Sequence, residues 1–324
     1  MTGQYEVAVR NRRLQYKFMI TRNLTILRGD SATGKTTLIE MIQAYQQDGA
    51  DSGVSVACAR PCVVLSGRNW QLLLSAINDS IVFIDEGNAF VASQDFAEVV
   101  RTSTNYYVIA TRTSLFNLPY SIMEVYGIRN TAGNKYQGTK RLYSELYHLY
   151  GDSVSASVQV QPDLVIVEDA KAGYEFFKQV CARFDIPCVS ACGKSNVYKT
   201  VLESDAAHVL IVADDAAFGP EIERLLSLRY AKSIGLYMPE SFEWLLLKAD
   251  VLKDSSVMDI LSHPADFIES SHYFSWEAFF TALLTEKSKG TYLAYTKARL
   301  NPAYMQEKEM QKVLSVMPTN FPAL

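Results

Sequence analysis

Short apolar runs that stop at polar or glycine-rich turns recur along the chain. Tyr5–Arg10 and Leu14–Ile20 flank the polar Asn11-Arg12-Arg13, which is a β-hairpin signal. Leu24–Leu27 is short, apolar and β-prone. Ile81–Ile84 holds four apolar residues in a row, and Tyr106–Ala110 is a second such run. Uninterrupted runs of this kind fit strands buried on both faces of a parallel sheet. Val63-Val64-Leu65 reads as one more strand, and residues 37–45 carry apolar side chains at helical spacing.

The pattern restarts after a small, polar stretch at 151–157, which reads as a linker. Strands are predicted at Leu164–Val167, 187–191, 208–213 and 234–238, with helices at 174–184, 196–202, 221–228 and 242–252. Strands alternating with helices predict a parallel, doubly wound sheet. Residues 256–324 read as a helical extension, with an amphipathic aromatic segment from Phe274 to Leu284. The expected class is therefore α/β, in three segments: 1–150, 158–255 and 256–324.

Chemistry enters at the turn after Leu24–Leu27. Residues 29–37 read Gly-Asp-Ser-Ala-Thr-Gly-Lys-Thr-Thr and fit G-x-x-x-x-G-K-[ST], between a strand and a helix start. In such a cradle Gly29 and Gly34 let the backbone bend around phosphates. Asp30, Ser31, Ala32, Thr33 and Thr37 present N–H groups, and the helix N-terminus adds positive potential. Lys35 would reach the β- and γ-phosphates of ATP, and the Thr36 hydroxyl would bind Mg²⁺. Asp85 and Glu86 end the Ile81–Ile84 strand, at the edge where open α/β sheets bind ligands. Asp85 is expected to hold Mg²⁺ through its water shell, and Glu86 to activate water. Arg112, after the Tyr106–Ala110 strand, could stabilise γ-phosphate charge. Asn105 and Gln71 are lesser candidates.

Composition narrows the classes. The chain has 324 residues, which favours about two domains. Its net charge of −4 gives no overall basic footprint for nucleic acid. A local cluster of Lys287, Lys289, Lys297 and Arg299 is nonetheless present. No apolar run is long enough to span a membrane. Five cysteines, Cys58, Cys62, Cys181, Cys188 and Cys192, are an odd number, and free thiols in a cytoplasmic protein are the simplest expectation. Cys58 with Cys62, and Cys188 with Cys192, share a spacing that a zinc site could use, but no histidine lies close in sequence. The four histidines form no motif.

The Gly29–Thr37 loop with Asp85-Glu86 resembles the P-loop NTPases, in particular the branch with adjacent acids that includes the ABC-type ATPases. The N-terminal hairpin agrees with that branch. The Leu-Ser-Gly-Gly-Gln signature does not occur; Leu65-Ser66-Gly67-Arg68-Asn69 is a partial echo at a strand end. The second half is similar to a Toprim domain, through Val167-Glu168-Asp169 and Asp214-Asp215-Ala216. Between them, Cys192-Gly193-Lys194-Ser195-Asn196 resembles the Gly-Lys turn of OLD-family nucleases, which also place an ABC-type ATPase before a Toprim domain. The resemblance implies Mg²⁺ at Glu168 and Asp214, and DNA strand cleavage. Two departures stand out. Asp169 replaces the usual glycine, and Ala216 the second acid of D-x-D, for which Asp215 and Glu221 are the nearby substitutes.

Three functions are consistent with these residues. The first is a Mg²⁺-dependent ATPase coupled to a Toprim-like domain in DNA processing or defence against mobile elements, with DNA or a protein as partner and self-association open. The second is a non-cleaving, nucleotide-controlled switch that recruits a protein. The third is a small-molecule kinase, against which adjacent Asp85-Glu86 argues.

Overall fold

Buried and exposed side chains alternate along Tyr5–Arg10 (β1) and most of Leu14–Ile20 (β2), so each strand offers one face to a core. Asn11 makes the turn between them: its side-chain oxygen accepts the amides of Arg13 and Leu14, both at 2.8 Å. The strands pair antiparallel from Tyr5–Ile20 to Arg10–Gln15. The computed structural model describes residues 1–30, 33–131, 142–151 and 161–318. Ser31 and Ala32 of the glycine-rich loop, and most of the expected linker at 151–157, lie outside the described residues.

The chain divides into two units, Met1–Leu149 with Pro264–Phe274, and Tyr150–His263 with Ser275–Leu324. Residues 256–324 are thus shared between the units. Backbone bonds from Gly3 to Ala265 (2.7 Å) and from Ser270 to Met1 (3.1 Å) hold 264–274 in the first.

In the first unit, Leu24–Leu27 (β3), Ile81–Ile84 (β6) and Tyr106–Ala110 (β7) are buried at every position. They pair in parallel, with β7 between β3 and β6. Cys62–Val64 (β5) continues the parallel set beyond β6, and Val125–Thr131 (β8) beyond β3. Leu142–His148 (β9) pairs with β8 and β2, and Ser55–Ala57 (β4) with β1. The result is a nine-stranded sheet in the order β4-β1-β2-β9-β8-β3-β7-β6-β5. It is mixed rather than parallel, because β1, β4 and β9 each make an antiparallel pairing. Helix Lys35–Asp48 (α1) buries Leu38, Ile39 and Ile42 in one core with Val7 and Phe18 of the hairpin and Phe83 and Val108 of the parallel strands.

The second unit carries a four-stranded, wholly parallel sheet, as the alternating pattern predicts. Its strands are Leu164–Val167 (β10), Cys188–Ser190 (β11), His208–Val212 (β12) and Ser233–Tyr237 (β13), in the order β11-β10-β12-β13. The chain leaves β10 on one side for β11 and returns on the other for β12. The order therefore reverses between β10 and β12, the point in open α/β sheets where a crevice opens beyond the strand ends. The aromatic segment expected near 274–284 forms helix Trp276–Ser288, which buries Phe279, Phe280, Leu283 and Leu284. Among the described residues no helix is long and apolar enough to cross a membrane.

Candidate functional site

The carboxyl ends of β3, β6 and β7 lie side by side, so the turns that follow them converge. The turn after β3 leads into α1, whose N-cap is Gly34 with φ of 97°. A side chain there would be strained by that φ, and its Cβ would lie 2.8 Å from the Tyr16 hydroxyl. The same hydroxyl donates to the Gly34 carbonyl at 3.1 Å. Among the described residues no side chain caps α1, and its first turn holds no acid, so its leading N–H groups can meet an anion.

Lys35 is 4% exposed. Its ammonium donates to the Gly29 carbonyl, the Asp30 carbonyl (3.0 Å) and the Thr33 hydroxyl (3.2 Å). Among the described residues these partners are all neutral. Buried lysines are normally paired with an anion. A cavity of about 250 Å³ opens beside it, lined by Asp30, Thr33, Gly34, Lys35, Thr36, Thr37, Glu86 and Arg112.

Across the cavity, Thr36 Oγ1 donates to Asp85 Oδ1 at 3.4 Å. Both groups are hard oxygen donors of the kind Mg²⁺ and its water shell take. Glu86 forms an ion pair with Arg112 through Oε1 and Nε. Glu86 lines the same cavity as Lys35 and Thr36.

Sequence reasoning missed three supports of this site. Tyr16 comes from the hairpin. Arg28, 5% exposed, donates through Nη2 to the Arg112 carbonyl (3.2 Å) and the Ser114 hydroxyl (3.3 Å). Asn88 donates to the Asp85 carbonyl at 2.9 Å and accepts the Gly67 amide at 3.1 Å, which ties the 65–68 turn to the acidic turn. Asn105 is a correction: it lies at the opposite end of β7, where it accepts the Ser80 amide and donates to the Ile77 carbonyl. Gln71 sits on the short helix Trp70–Ser75 and does not line the cavity.

In the second unit Glu168 and Asp214 meet at the reversal point. β10 and β12 are neighbours in register Val167–Val212. The Asp214 amide donates to Glu168 Oε2 at 3.1 Å, and Asp214 Oδ1 accepts the Phe242 amide at 3.1 Å. Asp169 accepts the Gly173 and Tyr174 amides, at 2.8 and 3.3 Å, in the first turn of helix Ala172–Ala182. Asp215 is buried at the start of a short helix, and Glu221 pairs with Arg224. Lys194 is held to the Ala217 carbonyl at 2.9 Å, and Lys297 pairs with Glu277 and, at 3.7 Å, with Glu243. Two carboxylates suit a Mg²⁺ that keeps most of its waters. Among the described residues no group of three or more His, Cys, Asp or Glu side chains is gathered for a metal.

Both residues are half-buried by their surface, yet protein atoms enclose their carboxyls, and burial is the main cause of their shifts. Burial, with Glu277 and Asp169 nearby, holds the Glu168 carboxyl up to about 7, against the pull of the Asp214 amide and Lys194. Burial and the charges of Glu277, Glu168 and Glu243 raise Asp214 well above the carboxylate range. An unfolded glutamate titrates near 4.3, so the folded chain holds its proton more tightly between that value and about 7. Stability contributed here is present at low pH and is lost as pH rises towards 7. Glu168→Gln is expected to melt above the parent at pH 8 by the equivalent of about 1–3 kcal/mol, and close to it at pH 4.5. Thermal melts across pH check this; a difference independent of pH rules it out.

The cysteines pair differently from the expected spacing. Cys58 and Cys62 meet, but Cys188 meets Cys181, and Cys192 stands apart on the surface. No histidine is found in either site; His208, for example, pairs with Asp163 at 3.0 Å. Compared with protein-family models and with curated proteins, the sequence has no match.

Proposed function

We propose that the chain binds ATP with Mg²⁺ and hydrolyses it, with the first unit a P-loop NTPase domain and the second a Toprim-like domain. One observation carries this reading: a buried Lys35 ammonium with only neutral partners among the described residues, facing a cavity at an uncapped helix N-terminus. Phosphates would supply the missing negative charge. Thr36, directly, and Asp85, through water, would hold Mg²⁺, which supplies charge stabilisation at the transferred phosphoryl group. Glu86 would orient and deprotonate the attacking water, and Arg112 would bind the γ-phosphate. Glu168 and Asp214 would hold a second Mg²⁺ if the Toprim-like unit acts on DNA, in DNA processing or defence against mobile elements.

The Glu86–Arg112 ion pair favours a second reading, a switch in which nucleotide binding governs recruitment of a protein partner. Phosphate release from ATP and Mg²⁺ with no added acceptor separates the readings. Release, absent in a Lys35 variant, supports the ATPase. Binding without release supports the switch, and turnover only with an added small-molecule acceptor would make the chain a kinase. Plasmid nicking with Mn²⁺, repeated on Glu168→Ala, tests the second unit by itself.

A further inference from the structure

β4 and β5 form the two opposite edges of the nine-stranded sheet. Only residues 58–61 separate them along the chain. Cys58 follows β4 and Cys62 opens β5. The turn folds both sulfurs onto one residue. The Arg60 amide donates to Cys58 Sγ at 3.4 Å, and the Cys62 thiol donates to the Arg60 carbonyl at 3.9 Å. Both thiols are half-buried. The Arg60 guanidinium is fixed over the Tyr5 ring, 5.5 Å from its centroid, and keeps a positive charge at the turn.

The geometry points to Cys58 and Cys62 as a reversible dithiol–disulfide site, which joins the two edges of the sheet when a peroxide or a small-molecule disulfide reaches it. The neighbouring Cys62 thiol, the Arg60 and Ala59 amides and the Arg60 charge outweigh burial and draw the Cys58 thiol down to about 6. Cys58 is then the thiolate, and so the attacking sulfur, at neutral pH. It attacks the peroxide O–O bond and becomes a sulfenic acid, while the second oxygen leaves as hydroxide and takes a proton to form water. Cys62 then loses its proton, its sulfur attacks Cys58 Sγ, the S–O bond breaks and a second water leaves. Two thiols and one hydrogen peroxide give one disulfide and two waters. A dithiol reductant reverses the bond.

Cys192, exposed and without a neighbouring thiol, is the internal control; Cys188, half-buried against the fully buried Cys181, is a second thiol pair that the same peptide map reads separately. The test treats the whole protein with hydrogen peroxide or oxidised glutathione, blocks remaining thiols by alkylation and maps the peptides by mass spectrometry. The expected result is a Cys58–Cys62 disulfide that dithiothreitol removes, formed at least ~10-fold faster than Cys192 is modified. Cys62→Ser is expected to stop at a Cys58 sulfenic acid that dimedone traps. Modification of Cys58 no faster than Cys192, or its oxidation to the sulfinic acid with no crosslink, overturns the proposal. No nucleotide enters the assay, so its outcome is independent of the ATPase reading.

Discussion

Lys35→Ala is expected to abolish tight ATP binding. The wild-type ammonium is buried and already desolvated, and its present partners are the loop's own neutral oxygens. Exchanging those for phosphate oxygens gains charge-assisted bonds at little further desolvation cost. Hydrogen bonds to charged groups contribute about 1.5–3 kcal/mol each, so losing two should weaken binding by roughly 100-fold or more. Truncation also leaves the Gly29 and Asp30 carbonyls to water, which can enter the open cavity. The fold should therefore survive, and a thermal melt checks that it does. Calorimetry with ATP and Mg²⁺ measures the affinity; a value equal to the parent's removes the phosphate assignment from this loop.

What could be read from the sequence depended on how local the cause was. β6, β7 and β10 announce themselves because burial on both faces demands unbroken apolar runs, and β3 departs from that only at Thr25. β8 and β9 do not, since partners set their character. Arg129 stands opposite Glu145 and bonds it at 2.8 Å. Gly127 makes room for the Tyr147 ring, which would lie 2.4 Å from any Cβ there. Neither residue reads as a strand former until the two strands are paired. The antiparallel β8–β9 pair was hidden for that reason, whereas the β1–β2 hairpin shows in the sequence.

The same holds for the site. The glycine-rich loop and the acids ending β6 are contiguous patterns, and their convergence follows from parallel pairing alone. Tyr16, Arg28 and Asn88 act across long stretches of chain, through bonds that no spacing encodes. Asn105 was attractive by proximity to β7, but it lies at the strand's amino end, and ligands gather at the carboxyl ends. The cysteines make the point twice: one four-residue spacing brings two thiols together and the identical spacing elsewhere does not. In the first case the turn folds on Arg60. In the second, helix Ala172–Ala182 supplies the partner from outside the spacing.

Glu86→Gln is expected to keep ATP affinity within a few-fold of the parent and to slow hydrolysis by about 100-fold or more, the range that general-base catalysis supplies. The substitution preserves the side chain's shape and removes its ability to take a proton. The Arg112 partner does not prevent Glu86 from acting. That pair lies at the cavity mouth, with side chains 56% and 30% exposed. Pairs so open to solvent contribute about 0–1 kcal/mol, less than a guanidinium gains from a phosphate. A bound γ-phosphate should therefore draw Arg112 inward and release the carboxylate beside the attacking water. Glutamine cannot hold Arg112 electrostatically, so any masking of the site by this pair should vanish as well. If masking were Glu86's main role, the variant would hydrolyse faster than the parent. If Glu86 is the base, hydrolysis falls although the ion pair with Arg112 is gone. Phosphate release measured beside nucleotide affinity separates the two, and a variant at the parental rate would move the base away from the end of β6.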